Sequence, residues 1–467
     1  MLDKIFKGGT IVTDRSTFRA DVGVTGEKIT EIAKTIKPDK GTEVIDCRGK
    51  LILPGAIDAH THLAMPFGGT ISADDYETGT RAAASGGTTT VFDFILQDFG
   101  EPFPKAIKRR NDIAKKQAVV DYSFHLAVKD VKGKLLDSME DAVKAGVPSF
   151  KVFMVYDFGV TDGVFYQVLE RSKKIGALIG VHAENNDMVN YFTEQFAKEK
   201  TLDPYHHYLS RPEFVEKEAD ERAIAWAKSL NAPLYIVHLA NDGGMKAVKK
   251  ARAKGYPIFA ETCPQYLNFT KEVYTRKDGR NFVCSPPMKG KKSQDALWSG
   301  IKTGDIATIA TDHCPFKQKE KDWGKDDFRK IPNGCAGIEN MYPYVLSEAN
   351  KGRITFKKAV ELCSTNVAKI FGLSNKKGAI EVGRDADIVV YDRTKNYTIR
   401  NRNMHGNTDH TIWEGAKLKG YPIRTYSRGR LVYKDGKFLS GNAPKGSGEF
   451  VKCKPIKITT PDISNMK

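Results

Sequence analysis

Two histidines stand two residues apart in Asp58-Ala59-His60-Thr61-His62, at the end of an apolar run that begins at Leu51. On an extended strand, side chains at i and i+2 share a face, so both imidazoles can reach one metal ion. Two more histidines close other apolar runs, in Val181-His182-Ala183-Glu184-Asn185 and Val237-His238-Leu239. A carboxylate ends a fourth run, Ile309-Ala310-Thr311-Asp312-His313-Cys314, and a lysine sits inside a fifth, Ser149-Phe150-Lys151-Val152-Phe153-Met154. Taken singly, each has a bland reading: a surface or core histidine, or an aspartate capping a helix. An unpaired buried ammonium is costly, so Lys151 must titrate to neutral, find a partner or be chemically modified. Taken together, the six residues are far more specific, provided one fold gathers five strand ends on one rim. Carbon dioxide would convert the lysine amine to a carbamate, an anionic ligand able to bridge two cations. His60, His62 and Asp312 would then hold one metal ion, and His182 and His238 the other. A pair roughly 3.5–4 Å apart can share a hydroxide and stabilise the charge developing in a hydrolysis.

The elements that must position these groups are legible as eight short apolar runs separated by helix-length stretches. They are Leu51 to Asp58, Thr88 to Phe94, Tyr122 to Ala127, Ser149 to Met154, Ala177 to Val181, Leu234 to Val237, Pro257 to Ala260 and Ile306 to Ala310. This texture predicts an α/β fold with parallel strands covered on both faces, and eight units predict a (β/α)8 TIM-like barrel with its site at the strand C-termini. An open doubly wound sheet is the competing topology. Both chain ends instead alternate apolar and polar residues between turn signals. Thr10 to Thr13, Ala20 to Val24, Lys28 to Ile32 and Glu43 to Asp46 do so at the start, and Ala379 to Val382, Ala386 to Tyr391 and Gly429 to Tyr433 near the finish. These predict short antiparallel strands that pair into one small β-sandwich domain. The expected division is 1–52 and 374–440 for the sandwich, 53–373 for the catalytic barrel, and 441–467 for a C-terminal arm or tail.

The 467 residues carry 74 Lys and Arg against 57 Asp and Glu, a net charge of +17 that raises nucleic acid or an anionic membrane as a partner. The basic residues are scattered among acidic ones, with no basic stripe and no RNA-binding aromatic motif, so neither partner is expected. Seven cysteines form no Cys-x-x-Cys pair, and the N-terminus lacks the apolar run of a signal peptide. A reducing, cytoplasmic location is the expectation.

The motifs around His60, Lys151 and His182, with Glu261-Thr262-Cys263-Pro264-Gln265-Tyr266-Leu267 and Thr311-Asp312-His313-Cys314-Pro315-Phe316, resemble in order those of the dihydropyrimidinase and D-hydantoinase family of cyclic amidohydrolases. Gly86-Gly87-Thr88-Thr89-Thr90, Ser285-Pro286-Pro287 and Ile331-Pro332-Asn333-Gly334 add to the resemblance, which spans roughly residues 1 to 450. It implies a distorted TIM barrel with a β-sandwich built from both chain ends. It implies two zinc ions: one on His60, His62, Lys151 as N6-carboxylysine and Asp312, the other on Lys151, His182 and His238. The same ligand types also accept manganese or cobalt. Tyr156 resembles the family tyrosine that stabilises the oxyanion, and Ser285 and Asn333 the positions whose backbone groups hold the ring amide. The implied reaction is hydrolytic opening of 5,6-dihydropyrimidines or 5-substituted hydantoins to N-carbamoyl amino acids. A bridging hydroxide would attack, with Asp312 as general base and then acid. The implied assembly is a homotetramer or homodimer.

Where many hydantoinases read His-Leu-Asp-Met-Pro-Phe, this chain reads His62-Leu63-Ala64-Met65-Pro66-Phe67. The family loop helps form the pocket for the ring substituent, with residues matching Leu63, Met65, Phe153 and Phe158, so substituent preference and enantioselectivity are what the change affects. Ordinary packing is the alternative role for these apolar side chains. Allantoinase or dihydroorotase chemistry would use the same metal site. A non-catalytic scaffold of the same fold is disfavoured because all six ligand positions are filled. A Schiff-base enzyme built on Lys151 would leave four histidines unexplained.

Overall fold

The structure is a computed structural model that describes residues 1–456, and the elements given below are those of the described residues. Eight parallel strands pair in chain order: β1 (Ala56–Thr61), β2 (Thr88–Leu96), β3 (Asp121–Ala127), β4 (Ser149–Phe153), β5 (Leu178–His182), β6 (Leu234–Ile236), β7 (Ile258–Thr262) and β8 (Thr308–Ile309). The ring closes through a parallel bridge from Thr61 to His313, where the His62 N–H donates to the His313 carbonyl at 2.8 Å. Asp58 draws the same edges together by accepting from the Thr311 N–H at 3.1 Å and the Thr311 hydroxyl at 2.6 Å. The fold is therefore the (β/α)8 barrel and not the open doubly wound sheet. β1, β3, β4 and β7 are buried at every position, which is why their apolar residues do not alternate with exposed polar ones.

The covering helices follow from local signals. After β4, Thr161 accepts from the Val164 N–H to cap Asp162–Ile175, whose buried Phe165, Val168, Leu169 and Ser172 recur at helical spacing. Gly176 ends it in the left-handed region at φ 69°.

Two further sheets share a core of Phe6, Ile11, Val22, Val24, Ile29, Ile45, Ile52, Ile388, Val390 and Tyr426, drawn from both chain ends. One orders Lys28–Ala33, Asp21–Thr25, Lys4–Lys7 and Glu43–Asp46. The other orders Lys437–Phe438, Arg430–Lys434, Lys417–Ser427, Ile388–Thr398, Leu51–Pro54, Thr10–Val12 and Thr17–Arg19. Three expectations need correction here. The run Leu51 to Asp58 is two strands: Leu51–Pro54 pairs with Ile388–Tyr391 and Thr10–Ile11 in the β domain, and the chain enters the barrel only after Gly55. The pairing is not all antiparallel, since Lys4–Lys7 runs parallel to Glu43–Asp46 and Thr10–Ile11 parallel to Leu51–Ile52. Ala379–Val382 forms no strand; Ile380 is buried in the shared core from an irregular segment.

Of the segment 441–467, residues 449–456 run along the barrel, with the Tyr122 N–H donating to Glu449 O at 2.9 Å and the Ile456 N–H to Gly176 O at 2.7 Å. Val451, Cys453 and Ile456 join Ile57, Phe92 and Phe371 in one buried cluster. Residues 457–467 of the expected arm lie outside the described residues.

Candidate metal centre and substrate cavity

The strand ends deliver the expected side chains to one place. β1 carries His60 and runs directly into His62, and the two ring centroids lie 5.1 Å apart. His238, just past β6, lies 5.3 Å from His60 and 4.5 Å from His182, which ends β5. His60, His62 and Asp312 each turn a ligand atom to a common point, these atoms all lying within 4.8 Å of one another. Asp312 Oδ1 stands 3.2 Å from His60 Nε2 and 3.1 Å from His62 Nε2. Lys151 on β4 is buried beside them, its Nζ 5.3 Å from the centroid of Phe94 and 5.0 Å from that of Phe153. All six line one cavity with Met65, Phe67, Phe153, Tyr156, Phe158, Ser285 and Asn333, and it opens into a mouth of about 860 Å³. Leu63 is the exception: it is fully buried, and a Cβ added at Gly79 would collide with its side chain, so it packs on the following helix and is absent from the cavity lining.

The electrostatics suit cations. Burial, with the neighbouring cationic groups, lowers the titration of His60, His182 and His238, leaving neutral imidazoles ready to coordinate. Burial would raise Asp312, but its proximity to His60 and the hydrogen bond with His62 outweigh it and lower its titration. Burial pushes Lys151 down to about 7, against the opposing pull of Asp312 and Glu261, so a neutral amine is accessible near neutral pH. Lys151 Nζ, His62 Nδ1 and His238 Nδ1 are buried without a hydrogen-bond partner among the described residues. Two imidazoles and one carboxylate converging on a common point fit one metal ion, and the unpartnered Lys151 amine lies buried beside them.

Carboxylates that the sequence did not single out orient these ligands. Glu261, ending β7, places Oε1 2.7 Å from His60 Nδ1 and accepts from the Tyr235 hydroxyl at 2.9 Å and the His238 N–H at 3.1 Å. Glu184 places Oε2 2.7 Å from His182 Nε2 and accepts from Arg211 at 2.6 Å; despite burial, Arg211 and His182 hold it at about 2. Such partners fix the imidazole tautomer and raise ligand basicity. Their signal in sequence is an ionisable residue at the end of an apolar run, the same cue that exposed Lys151 and Asp312.

Three site residues are non-glycines in the left-handed region: Tyr156 at φ 78°, His238 at 37° and Asp312 at 51°. Each conformation costs about 1–3 kcal/mol, which the packing around the site must overcome. Tyr156 stacks on Phe158 at 5.4 Å, and burial raises its phenol, so it is a neutral O–H donor at neutral pH. Across the cavity, Asn333 Nδ2 donates to Ser285 Oγ at 3.1 Å, tying the two loops face to face.

The family model "Amidohydrolase family" matches residues 51–432. The D-hydantoinase of Geobacillus stearothermophilus is 40% identical over 97% of this chain and 96% of its own length. The D-hydantoinase of Ralstonia pickettii is 39% identical over 98% of this chain and 100% of its own. A crystal structure of dihydropyrimidinase from Brevibacillus agri superimposes with a TM-score of 0.95 at 41% identity, covering 97% of this chain and 99% of that one. The barrel, the domain built from both ends and these full-length similarities agree: the chain belongs to the dihydropyrimidinase and D-hydantoinase family of amidohydrolases.

Proposed function

We propose that this protein is a binuclear metal-dependent cyclic amidohydrolase that opens 5,6-dihydropyrimidine and 5-substituted hydantoin rings to N-carbamoyl amino acids. The observation that carries the reading is Lys151: a buried amine without a partner among four imidazoles and one carboxylate, at about 7. As a carbamate, Lys151 would supply the negative charge that neutral imidazoles cannot offer to bound cations. His60, His62, Asp312 and the Lys151 carbamate would hold one ion; the Lys151 carbamate, His182 and His238 would hold the other. Bound zinc, or manganese or cobalt in its place, supplies a water activated near neutral pH and a Lewis acid for the ring carbonyl.

The residues of this chain perform the remaining work. Asp312 accepts the proton of the attacking water and returns it to the ring nitrogen as the carbon–nitrogen bond breaks, leaving a carboxylate and a ureido nitrogen. The neutral Tyr156 hydroxyl donates to the carbonyl oxygen as it gains charge. The Ser285 carbonyl and Asn333 N–H, neither hydrogen-bonded among the described residues, present the acceptor and donor that a ring amide requires. Met65, Phe153 and Phe158 bound the ring substituent, with Phe67 beside them.

Ring opening of a panel of hydantoin, phenylhydantoin, dihydrouracil, allantoin and dihydroorotate tests the reading. Turnover of the hydantoins or dihydrouracil is expected; turnover confined to allantoin or dihydroorotate would transfer the chain to those chemistries. Assembly as a homotetramer or homodimer is part of the same proposal, checked by sedimentation.

A further inference from the structure

Lys321 is fully buried at the C-terminal end of a short helix, Gln318–Lys321, and belongs to neither the metal centre nor the cavity lining. Its Nζ donates to three backbone carbonyls: Val283 at 3.0 Å, Pro332 at 2.8 Å and Gly334 at 2.7 Å. An ammonium has three donors, so the group is fully satisfied without a carboxylate, and no salt bridge joins it among the described residues. Holding a cation in this way costs desolvation, although a neutral side chain could fill the same space. The choice of carbonyls explains what it does. Val283 lies two residues before Ser285, while Pro332 and Gly334 flank Asn333, so one charge grips both loops that face the substrate.

The Pro332 contact acts on the substrate donor itself. The Pro332 carbonyl and the Asn333 N–H are opposite ends of one peptide group. A cation on that oxygen draws electron density along the amide and strengthens its N–H as a donor. The Asn333 N–H is left without a partner among the described residues, whereas the neighbouring Gly334 N–H is spent on Val283 O at 2.9 Å. Val283 O thus accepts from both the opposite loop and the lysine, fixing the separation of Ser285 from Asn333.

We propose that Lys321 is a positioning residue for substrate, its buried charge setting the geometry of the Ser285 carbonyl and the Asn333 N–H and sharpening the latter as the donor to the ring carbonyl. The role rests on the proposed amide chemistry of the site. It touches neither the metal ligands nor Asp312, so it should govern ring binding more than the chemical step.

The test compares Lys321→Met, which removes charge and donors, with Lys321→Gln, which keeps neutral donors in a shorter side chain and guards against a variant that fails to fold. Both are assayed with the wild type on hydantoin and dihydrouracil, with metal content measured on the same samples. The expected result is a rise in KM of about tenfold or more for Lys321→Met, a smaller rise for Lys321→Gln, kcat within about threefold of wild type and unchanged metal content. Unchanged KM in the folded variants, or a fall in kcat that tracks metal loss, would overturn the role. Absence of ring opening by the wild type would count against the proposed function instead, which keeps the two failures apart.

Discussion

Glu261 Oε1 lies 2.7 Å from His60 Nδ1, and this contact sends the other nitrogen of the ring, Nε2, toward Asp312 Oδ1 at 3.2 Å. A carboxylate on β7 therefore sets the aim of a ligand on β1, across the barrel interior. The same Glu261 also accepts from the His238 N–H, so it braces one residue from each proposed ion site. Glu261→Gln keeps the shape and removes the charge. The expected outcome is a metal affinity lower by about 10- to 100-fold, read by competition with a chelator, with the fold intact by circular dichroism.

Lys151→Ala removes the carbamate and leaves a space. Ring opening should be lost with the metal, and a short carboxylic acid such as propionate, entering that space, should restore part of both. Full activity of Lys151→Ala without added acid would show that the lysine is not a ligand.

Ala64 sits at φ 45° in the loop between the metal ligand His62 and the cavity residue Met65. The departure from the family pattern thus falls at a left-handed position, where a β-carbon is strained and aspartate is better tolerated than alanine. Ala64→Gly should stabilise the protein by about 0.5–1 kcal/mol, measured by denaturant midpoint.

Lys377 Nζ is buried among Asp121 at 2.5 Å, Asp387 at 2.8 Å and Asp385 at 3.0 Å, joining the barrel to the β domain. Lys377→Met leaves those carboxylates uncompensated and should cost about 3–5 kcal/mol. Burial opposes the charge of Lys377, but the three aspartates outweigh it and raise its titration well above the ordinary lysine value of 10.5. Its contribution is therefore complete below the ordinary value of 10.5 and is lost as pH rises from there through the folded value. Wild-type stability should fall above that pH by a component that Lys377→Met lacks.

The barrel was legible because fully buried parallel strands leave short, mostly apolar runs such as Ser149–Phe153 and Ile258–Thr262, in which Lys151 and Glu261 stand out as the ionisable exceptions. The 11-residue strand Lys417–Ser427 is absent from the sequence expectation, and it carries Gly420 and Pro422, residues that ordinarily interrupt strands. Both have a structural reason: a Cβ at Gly420 would lie 2.2 Å from the Tyr391 hydroxyl, and Pro422 stands at the register shift opposite Tyr391. At the site, strand-end position pointed to the ligand residues, whereas Glu261 with His60, or Lys321 with Pro332, are contacts between distant segments that spacing along the chain does not encode. Leu63 illustrates the same limit, since adjacency to His62 did not reveal that it faces Gly79.

The most direct test of the central claim is to strip the protein with a chelator and restore ring opening against equivalents of zinc in bicarbonate buffer. Turnover that rises to a plateau at two ions per chain, and fails to recover fully without bicarbonate, is the predicted result. Full turnover in the stripped protein, or a plateau at a single ion, would contradict it.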